Sequence, residues 1–238
     1  MFLPTRVKMS IKIYQVGGSV RDQILGIKSK DIDFAVEAPS WEEMKEYIRK
    51  YNEIYLINDE YFTIRALHPK MGAVDYVYCR IDGPYTDGRR PDYVNSGTIL
   101  DDLARRDFTV NAIAIDEQGN YIDPHNGLID IDNKQLRTVG DLNKRFNEDS
   151  LRIIRALRFW ITKDLIPVKE IFNQVFFESS YWIPKLESTS KERIREELYK
   201  CFNYNTVKTL KTLHKIDHEY SEFFFDSGLW LMPTFKEK

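Results

Sequence analysis

Short apolar runs separated by polar turns open the chain. Ile13–Val16 ("IYQV") predicts a strand that ends at Gly17-Gly18. Ser19–Leu25 reads as a helix stopped by Gly26, and Ile32–Val36 ("IDFAV") as a second strand. The period then changes. Trp41, Met44, Tyr47, Ile48 and Tyr51 fall on one side of a helix, and Ser40 with Glu43 supplies a capping box to start it. Phe62–Leu67 and Ala73–Cys79 predict a hairpin joined by "HPKMG". The stretch from Asp82 to Gly97, "DGPYTDGRRPDYVNSG", is rich in turn residues and predicts a long mobile loop, a common place for function. "ILDDLARRDFTVNAIAID" continues as helix and then helix or strand, and "YIDPHNGLIDIDNKQLRTVG" closes the mixed region in hairpins. Beyond it, Leu151, Ile154 and Leu157 recur at helical spacing, and the remaining chain reads as helical. The expected architecture is α+β over residues 1–140, followed by a helical domain over 141–238.

Composition narrows the class. In 238 residues, 30% are charged and 42% hydrophobic, the balance of an ordinary globular protein. No apolar run reaches the ~18 residues of a membrane span, and the N-terminus lacks a secretory pattern. Cys79 and Cys201 have no metal-like spacing and are expected as reduced thiols, which points to the cytoplasm (of a host, if the chain is virus-encoded). The net charge of −2 carries no global nucleic-acid signature, so any RNA contact needs a local basic patch. Lys208, Lys211 and Lys215, on one side of a predicted helix, are the candidate for touching RNA phosphates, against the ordinary reading of a solvated face. Arg193 and Arg195 come next. His214 and His218, four apart, have no third ligand in view and do not predict a zinc site.

The opening segment holds the chemistry. Residues two apart on a strand point to one face, so Asp31 and Asp33 aim together and need a positive charge between them. A divalent cation supplies it, and hard carboxylate oxygens favour Mg²⁺. The Gly17-Gly18 turn brings backbone N–H groups to a helix start, where phosphate binds, with Ser19 and Arg21 able to add a hydroxyl and a charge. A phosphate cradle beside metal-holding carboxylates is equipment for phosphoryl or nucleotidyl transfer. A second metal requires a third carboxylate, for which Asp75 in "AVDYVYCR" is the candidate.

These residues also resemble a known family. "GGSVRD" followed by "DID", then "RRDFTVNAIA", "IDPHNGLIDIDNKQLRTVG", "EDSLRIIRALRF" and the weaker "SKERIREEL" are similar, in order, to the motifs of the bacterial-type (class II) CCA-adding tRNA nucleotidyltransferase and poly(A) polymerase family. The resemblance spans about residues 13–198. It implies a polymerase-β-like nucleotidyltransferase head with a mixed sheet, then an all-helical neck and partial body. It implies two Mg²⁺ ions and, as partners, ATP, CTP and the tRNA 3′ end. Carried over by position, Asp31, Asp33 and Asp75 are the catalytic carboxylates, with Asp31 and Asp33 as metal ligands. Gly17, Gly18 and Arg21 hold triphosphate, Arg106, Asp107 and Asn111 contact sugar and phosphates, and Asp149 and Arg152 read the base. Arg155, three residues on, either helps position phosphate or fixes the helix. Base reading also has a chemical rationale. Adenine and cytosine present an amine donor beside a ring-nitrogen acceptor, which a carboxylate and a guanidinium on one helix face complement. Guanine and uracil reverse that pattern. Many relatives are longer, so a short, C-terminally reduced member is expected. The alternatives are a poly(A) polymerase using ATP alone, a toxin-like nucleotidyltransferase, and a non-catalytic RNA-binding relic.

Overall fold

The computed structural model describes residues 11–29, 32–85 and 91–229. By contacts the chain divides into two compact units, Met1–Gly83 with Tyr93–Leu128, and Pro84–Asp92 with Ile129–Lys238.

The first unit is built on a mixed sheet. In chain order it contains β1 (Lys12–Val16), α1 (Gly18–Ile24), β2 (Ile32–Glu37), α2 (Trp41–Tyr51), β3 (Glu53–Asn58), β4 (Thr63–His68), β5 (Gly72–Tyr78), β6 (Arg80–Asp82), β7 (Val94–Ser96), α3 (Ile99–Ala104), β8 (Ala114–Ile115) and β9 (Tyr121–Ile122). The sheet order is β3-β4-β5-β2-β1-β8-β9. Its neighbours are antiparallel except β2 and β5, which run parallel. β6 and β7 form a separate hairpin at the two ends of the expected long loop, whose residues 86–90 lie outside the described set.

The α2 helix starts where Ser40 accepts a hydrogen bond from the Glu43 N–H at 3.1 Å. It buries Met44 and Ile48 against Val36, Ile64, Ala66, Val74, Tyr76 and Tyr78 on one sheet face. Tyr51, expected on that side, is exposed. On the other face Val16 and Ala35 are fully buried, in the part of the sheet that α1 and α3 contact. α1 ends in a Schellman motif. Ile27 and Gly26 donate back to Asp22 and Gln23, and Gly26 takes the left-handed φ of 69° that glycine tolerates. β3 was not expected from the sequence, and "GLIDID" is the helix α4 (Gly127–Asp132) where hairpins were expected. The Asp123 carboxylate explains that helix, accepting from the N–H groups of Gly127 and Leu128 at 2.8 and 2.9 Å.

The second unit contains β10 (Gln135–Leu136), α5 (Leu142–Glu148), α6 (Leu151–Lys163), β11 (Ile166–Pro167), α7 (Lys169–Ile171), a π-helical turn over Phe172–Phe176, α8 (Ser179–Glu187), α9 (Lys191–Leu213) and α10 (Glu219–Asp226). Among its described residues the regular structure is helical apart from the two-residue parallel pairing of β10 and β11. α6 is its axis: nine of its residues are buried, and it packs along α9. α9 breaks at Asn205, whose backbone is extended and whose side chain caps the following turn through the Lys208 N–H at 2.9 Å. His214 follows α9 and His218 precedes α10, so the two histidines do not share a helix face.

Gly127 is a packing constraint on the first unit. A Cβ there would stand 2.2 Å from the Thr109 carbonyl oxygen and 2.9 Å from Ile113 Cγ1. Backbone oxygen does not yield as a flexible side chain does, so Gly127→Ala is expected to destabilise by about 1–3 kcal/mol. Urea unfolding checks it, and unchanged stability would mean that the Thr109 turn moves freely.

Candidate active site

β2 and β5 set the centre of the site. Their parallel register places Asp33 directly opposite Asp75. Both side chains lie on the sheet face away from α2, because their neighbours Phe34, Val36, Val74 and Tyr76 face it. Asp31 lies outside the described residues. Two carboxylates side by side on adjacent strands present the hard oxygen donors that a divalent cation takes. Among the described residues no group of three or more His, Cys, Asp or Glu is assembled.

The turn after β1 meets this pair. Gly17 has φ 73° and ψ −138°, in the region open to glycine. It is also crowded: a Cβ would come within 3.0 Å of Arg106 Nη1 and 3.5 Å of Asp33 Oδ2. Gly17, Asp33 and Arg106 are thus one neighbourhood. No side chain caps the start of α1. Ser19 is buried, and its hydroxyl donates to the Val16 carbonyl at 3.0 Å while Gln15 Nε2 donates to it at 3.2 Å, so it braces the turn from within.

Arg21 also turns inward. It is buried and donates through Nε and Nη2 to Asp22 Oδ1 at 2.9 and 2.7 Å, and through Nη1 to Asn111 Oδ1 at 2.5 Å. Asn111 passes the chain on, its Nδ2 donating to Asp107 Oδ1 at 2.9 Å. Three of the residues expected at the nucleotide, Arg21, Asp107 and Asn111, are therefore brought together as a buried polar relay.

Arg106 is aimed by a residue that sequence reasoning missed. Asp102 is fully buried and accepts from Arg106 Nε and Nη2 at 3.1 and 2.8 Å on Oδ2, while Arg105 takes Oδ1. Burial pushes the Asp102 carboxyl up, but Arg105 and Arg106 outweigh it and hold it at about 2. The signal was present, since Asp102 stands three and four residues before the two arginines at helical spacing.

In the second unit the base-reading candidates are arranged differently from the expectation. Asp149 is not on α6. It sits in extended backbone after α5, with Ser150 between it and the helix. Its carboxylate accepts from Arg193 Nη2 at 2.8 Å and from the Leu151 N–H at 3.1 Å. Arg152 donates to the Glu148 carboxylate at 2.9 Å and the Arg145 carbonyl at 2.8 Å. Glu148, four residues before Arg152, was findable by spacing; Arg193, on α9, was not. Arg155 lies over the Phe159 ring at 5.6 Å. Burial pushes Glu197 up, but Arg158 and Arg155 prevail and hold it below the usual carboxylate range.

The lysine stripe is partly engaged. Lys208 pairs with Asp164 at 2.5 Å and Lys215 lies over the Trp160 ring at 5.5 Å, while Lys211 is exposed. Cys79 and Cys201 are buried and unbridged, and burial raises both thiols. No helix among the described residues is long and apolar enough to cross a membrane.

The family described as "Poly A polymerase head domain" matches residues 13–137. A CCA-adding enzyme of Lactococcus lactis subsp. lactis is 40% identical over 191 residues, 79% of this chain and 46% of that protein. One from Streptococcus mutans is 40% identical over 183 residues, 76% of this chain and 43% of that protein. The chain spans about half the length of the curated relatives it matches. Among solved structures, the Bacillus stearothermophilus CCA-adding enzyme in complex with CTP is similar with a TM-score of 0.73 and 30% identity, over 86% of this chain and 48% of that one. The Thermotoga maritima CCA-adding enzyme complexed with tRNA has a TM-score of 0.72 and 27% identity, over 91% and 48%.

Asp102→Asn tests the aiming of Arg106. Removing the charge leaves two arginines short of their buried partner, which is expected to cost about 3–5 kcal/mol. The folded pKa lies below the ordinary 3.8, so the Asp102 contribution is present above about pH 4 and is lost as pH falls towards about 2. Acid unfolding of the variant should be flatter across that window. An unchanged acid limb would show that the triad adds no stability.

Proposed function

The chain belongs to the poly(A) polymerase head-domain family, and from that premise we propose a template-independent nucleotidyltransferase that builds or repairs the 3′-terminal CCA of tRNA from CTP and ATP. The observation that carries the reading is the Asp33–Asp75 pair, on one sheet face, with Gly17 and Arg106 beside Asp33. On this reading residues 1–140 are the catalytic head and 141–238 the helical neck and body. The protein works in the cytoplasm.

Asp31, Asp33 and Asp75 would hold divalent cations, Mg²⁺ by the hardness of the donors and two by the number of carboxylates. Bound there, the metal would supply charge neutralisation at the 3′-oxygen and at the leaving phosphates. The chain's own residues do the rest. The uncapped Gly17-Gly18 turn and Arg106 receive the triphosphate. Arg21, Asn111 and Asp107, tied to one another, fix the wall beside it, against which the sugar would lie. The 3′-oxygen of the RNA bonds to the α-phosphorus, the bond to the bridging oxygen breaks, pyrophosphate leaves, and the hydroxyl proton passes to water. Asp149 and Arg152 select the base. Arg193 and Glu148 hold them before the nucleotide arrives, and each retains capacity for a base edge, since a carboxylate has about four acceptor sites and a guanidinium five donors.

The family match also admits a poly(A) polymerase, which would use ATP alone. Labelled CTP and ATP offered to tRNAs lacking CCA separate the two. Incorporation of C followed by A supports the proposal, and A alone on any RNA end replaces it with the alternative. Asp33→Ala is expected to lose incorporation altogether while melting as a folded protein; substantial turnover would remove Asp33 from the metal site. Asp149→Ala and Arg152→Ala should each lower the kcat/KM ratio of CTP over UTP by about two orders of magnitude or more, because unpaired polar groups no longer penalise the wrong base. Unchanged ratios in both would reduce these residues to structural ion pairs.

A further inference from the structure

Asp75 has a second neighbour. The antiparallel register of β4 on β5 puts Arg65 opposite it, and Arg65 Nε stands 3.3 Å from Asp75 Oδ1. Arg65, Asp75 and Asp33 thus form one row across three adjacent strands, on one face. Behind them Ile64, Ala66, Val74 and Tyr76 are packed against α2. On the row's own side Arg65, Leu67 and Ala73 are exposed, as is Leu56, which pairs with Arg65 from β3. The row is therefore asymmetric. Asp33 has Gly17 and Arg106 beside it, whereas Asp75 has Arg65 and an open sheet face.

We propose that Arg65 is an exchangeable counter-cation: it neutralises Asp75 until the carboxylates take a divalent cation, and its guanidinium then binds the phosphate backbone of the RNA strand whose 3′ end is extended. The inference rests on the nucleotidyltransferase reading. The pair is suited to exchange, because its side chains are 54% and 31% exposed and ion pairs so exposed add little net stability. A guanidinium and a divalent cation compete for the same oxygens, and hard carboxylates favour the latter. Once displaced, the planar guanidinium matches a phosphate bidentately. Geometry selects RNA as its partner. In an in-line displacement the attacking strand approaches opposite the leaving pyrophosphate. The triphosphate is received on the Gly17 and Arg106 side, which leaves the Arg65 side for the strand. Leu56 and Leu67 flank Arg65 with apolar surface on which a terminal nucleotide can lie.

The test measures binding in the full chain, with circular dichroism as a check on folding. Mn²⁺ affinity without nucleotide is read by electron paramagnetic resonance. Affinity for an RNA hairpin with a single-stranded 3′ end is read by anisotropy, with and without Mn²⁺. Arg65→Ala should bind Mn²⁺ about two- to five-fold more tightly, the scale of an exposed ion pair. Mn²⁺ should strengthen RNA binding by the wild type. By linkage that gain should vanish in Arg65→Ala and persist in part in Arg65→Lys. Equal Mn²⁺ affinity in wild type and Arg65→Ala, or an equal Mn²⁺ gain in RNA binding, overturns the proposal. Asp33→Ala separates the two levels. If it loses Mn²⁺ while Arg65→Ala behaves as wild type, only the role of Arg65 falls; if wild type binds Mn²⁺ no better than Asp33→Ala, the nucleotidyltransferase reading falls with it.

Discussion

Two carboxylates held in register repel one another, and the parallel pairing of β2 with β5 imposes that repulsion at Asp33 and Asp75. Much of the first unit answers it. Arg65 compensates from β4, and Arg106 is brought close to Asp33 past a residue that has no side chain. Any residue but glycine at position 17 would crowd both Arg106 and the Asp33 carboxylate while also holding an unfavourable φ. The turn is thus constrained twice, by backbone conformation and by the approach of charge. The positive groups are graded by exposure. Arg106 is tied down, whereas Arg65 is exposed at the edge of the row.

Tying down Arg106 requires a buried charge, which is costly unless fully paired. Asp102 meets that condition with two guanidinium groups on its two oxygens. The relay from Asp22 through Arg21 and Asn111 to Asp107 follows the same rule, with each buried donor matched to an acceptor. Such networks add little net stability against an apolar core, but they fix orientation. A site whose donors are already oriented loses little to reorganisation when charge develops on a phosphate.

What was legible in the sequence depended on local rules. The helical spacing of Met44 and Ile48 and the β4–β5 hairpin follow from neighbours a few residues apart and are found as expected, whereas of the expected α2 capping box the half in which Ser40 accepts from the Glu43 N–H is the one present. β3 was hidden because it is a mostly exposed strand with a bulge between Ile54 and Leu56, so it lacks the alternation that marks a half-buried strand. α4 was hidden because its cap, Asp123, lies four residues before Gly127, across a turn that reads as hairpin. Asp149 and Arg152 have helical spacing, yet the chain enters α6 only at Leu151, so spacing alone placed Asp149 on the wrong element. Arg193, brought to Asp149 by tertiary structure, leaves no local trace, and Arg65 meets Asp75 only once the register of the β4–β5 hairpin is fixed.

Those two distant partners share a property that separates them from the rest. In the proposed function Arg193 and Arg65 pair with ligand-binding carboxylates, and those carboxylates, Asp149 and Asp75, are 16% and 31% exposed, against 0% for the Asp102 carboxylate that fixes Arg105 and Arg106. Exposure decides what an ion pair can do. A buried pair, once broken, strands a charge in low dielectric and is in effect permanent. A pair that water reaches surrenders less when water, a metal ion or a base edge replaces one member. Permanent pairs therefore suit residues that must be aimed, and exchangeable pairs suit residues that must hand over a ligand site. In the proposed function Asp75 and Asp149 are held ready by cations that water can reach, while Arg106 is held by an anion that it cannot.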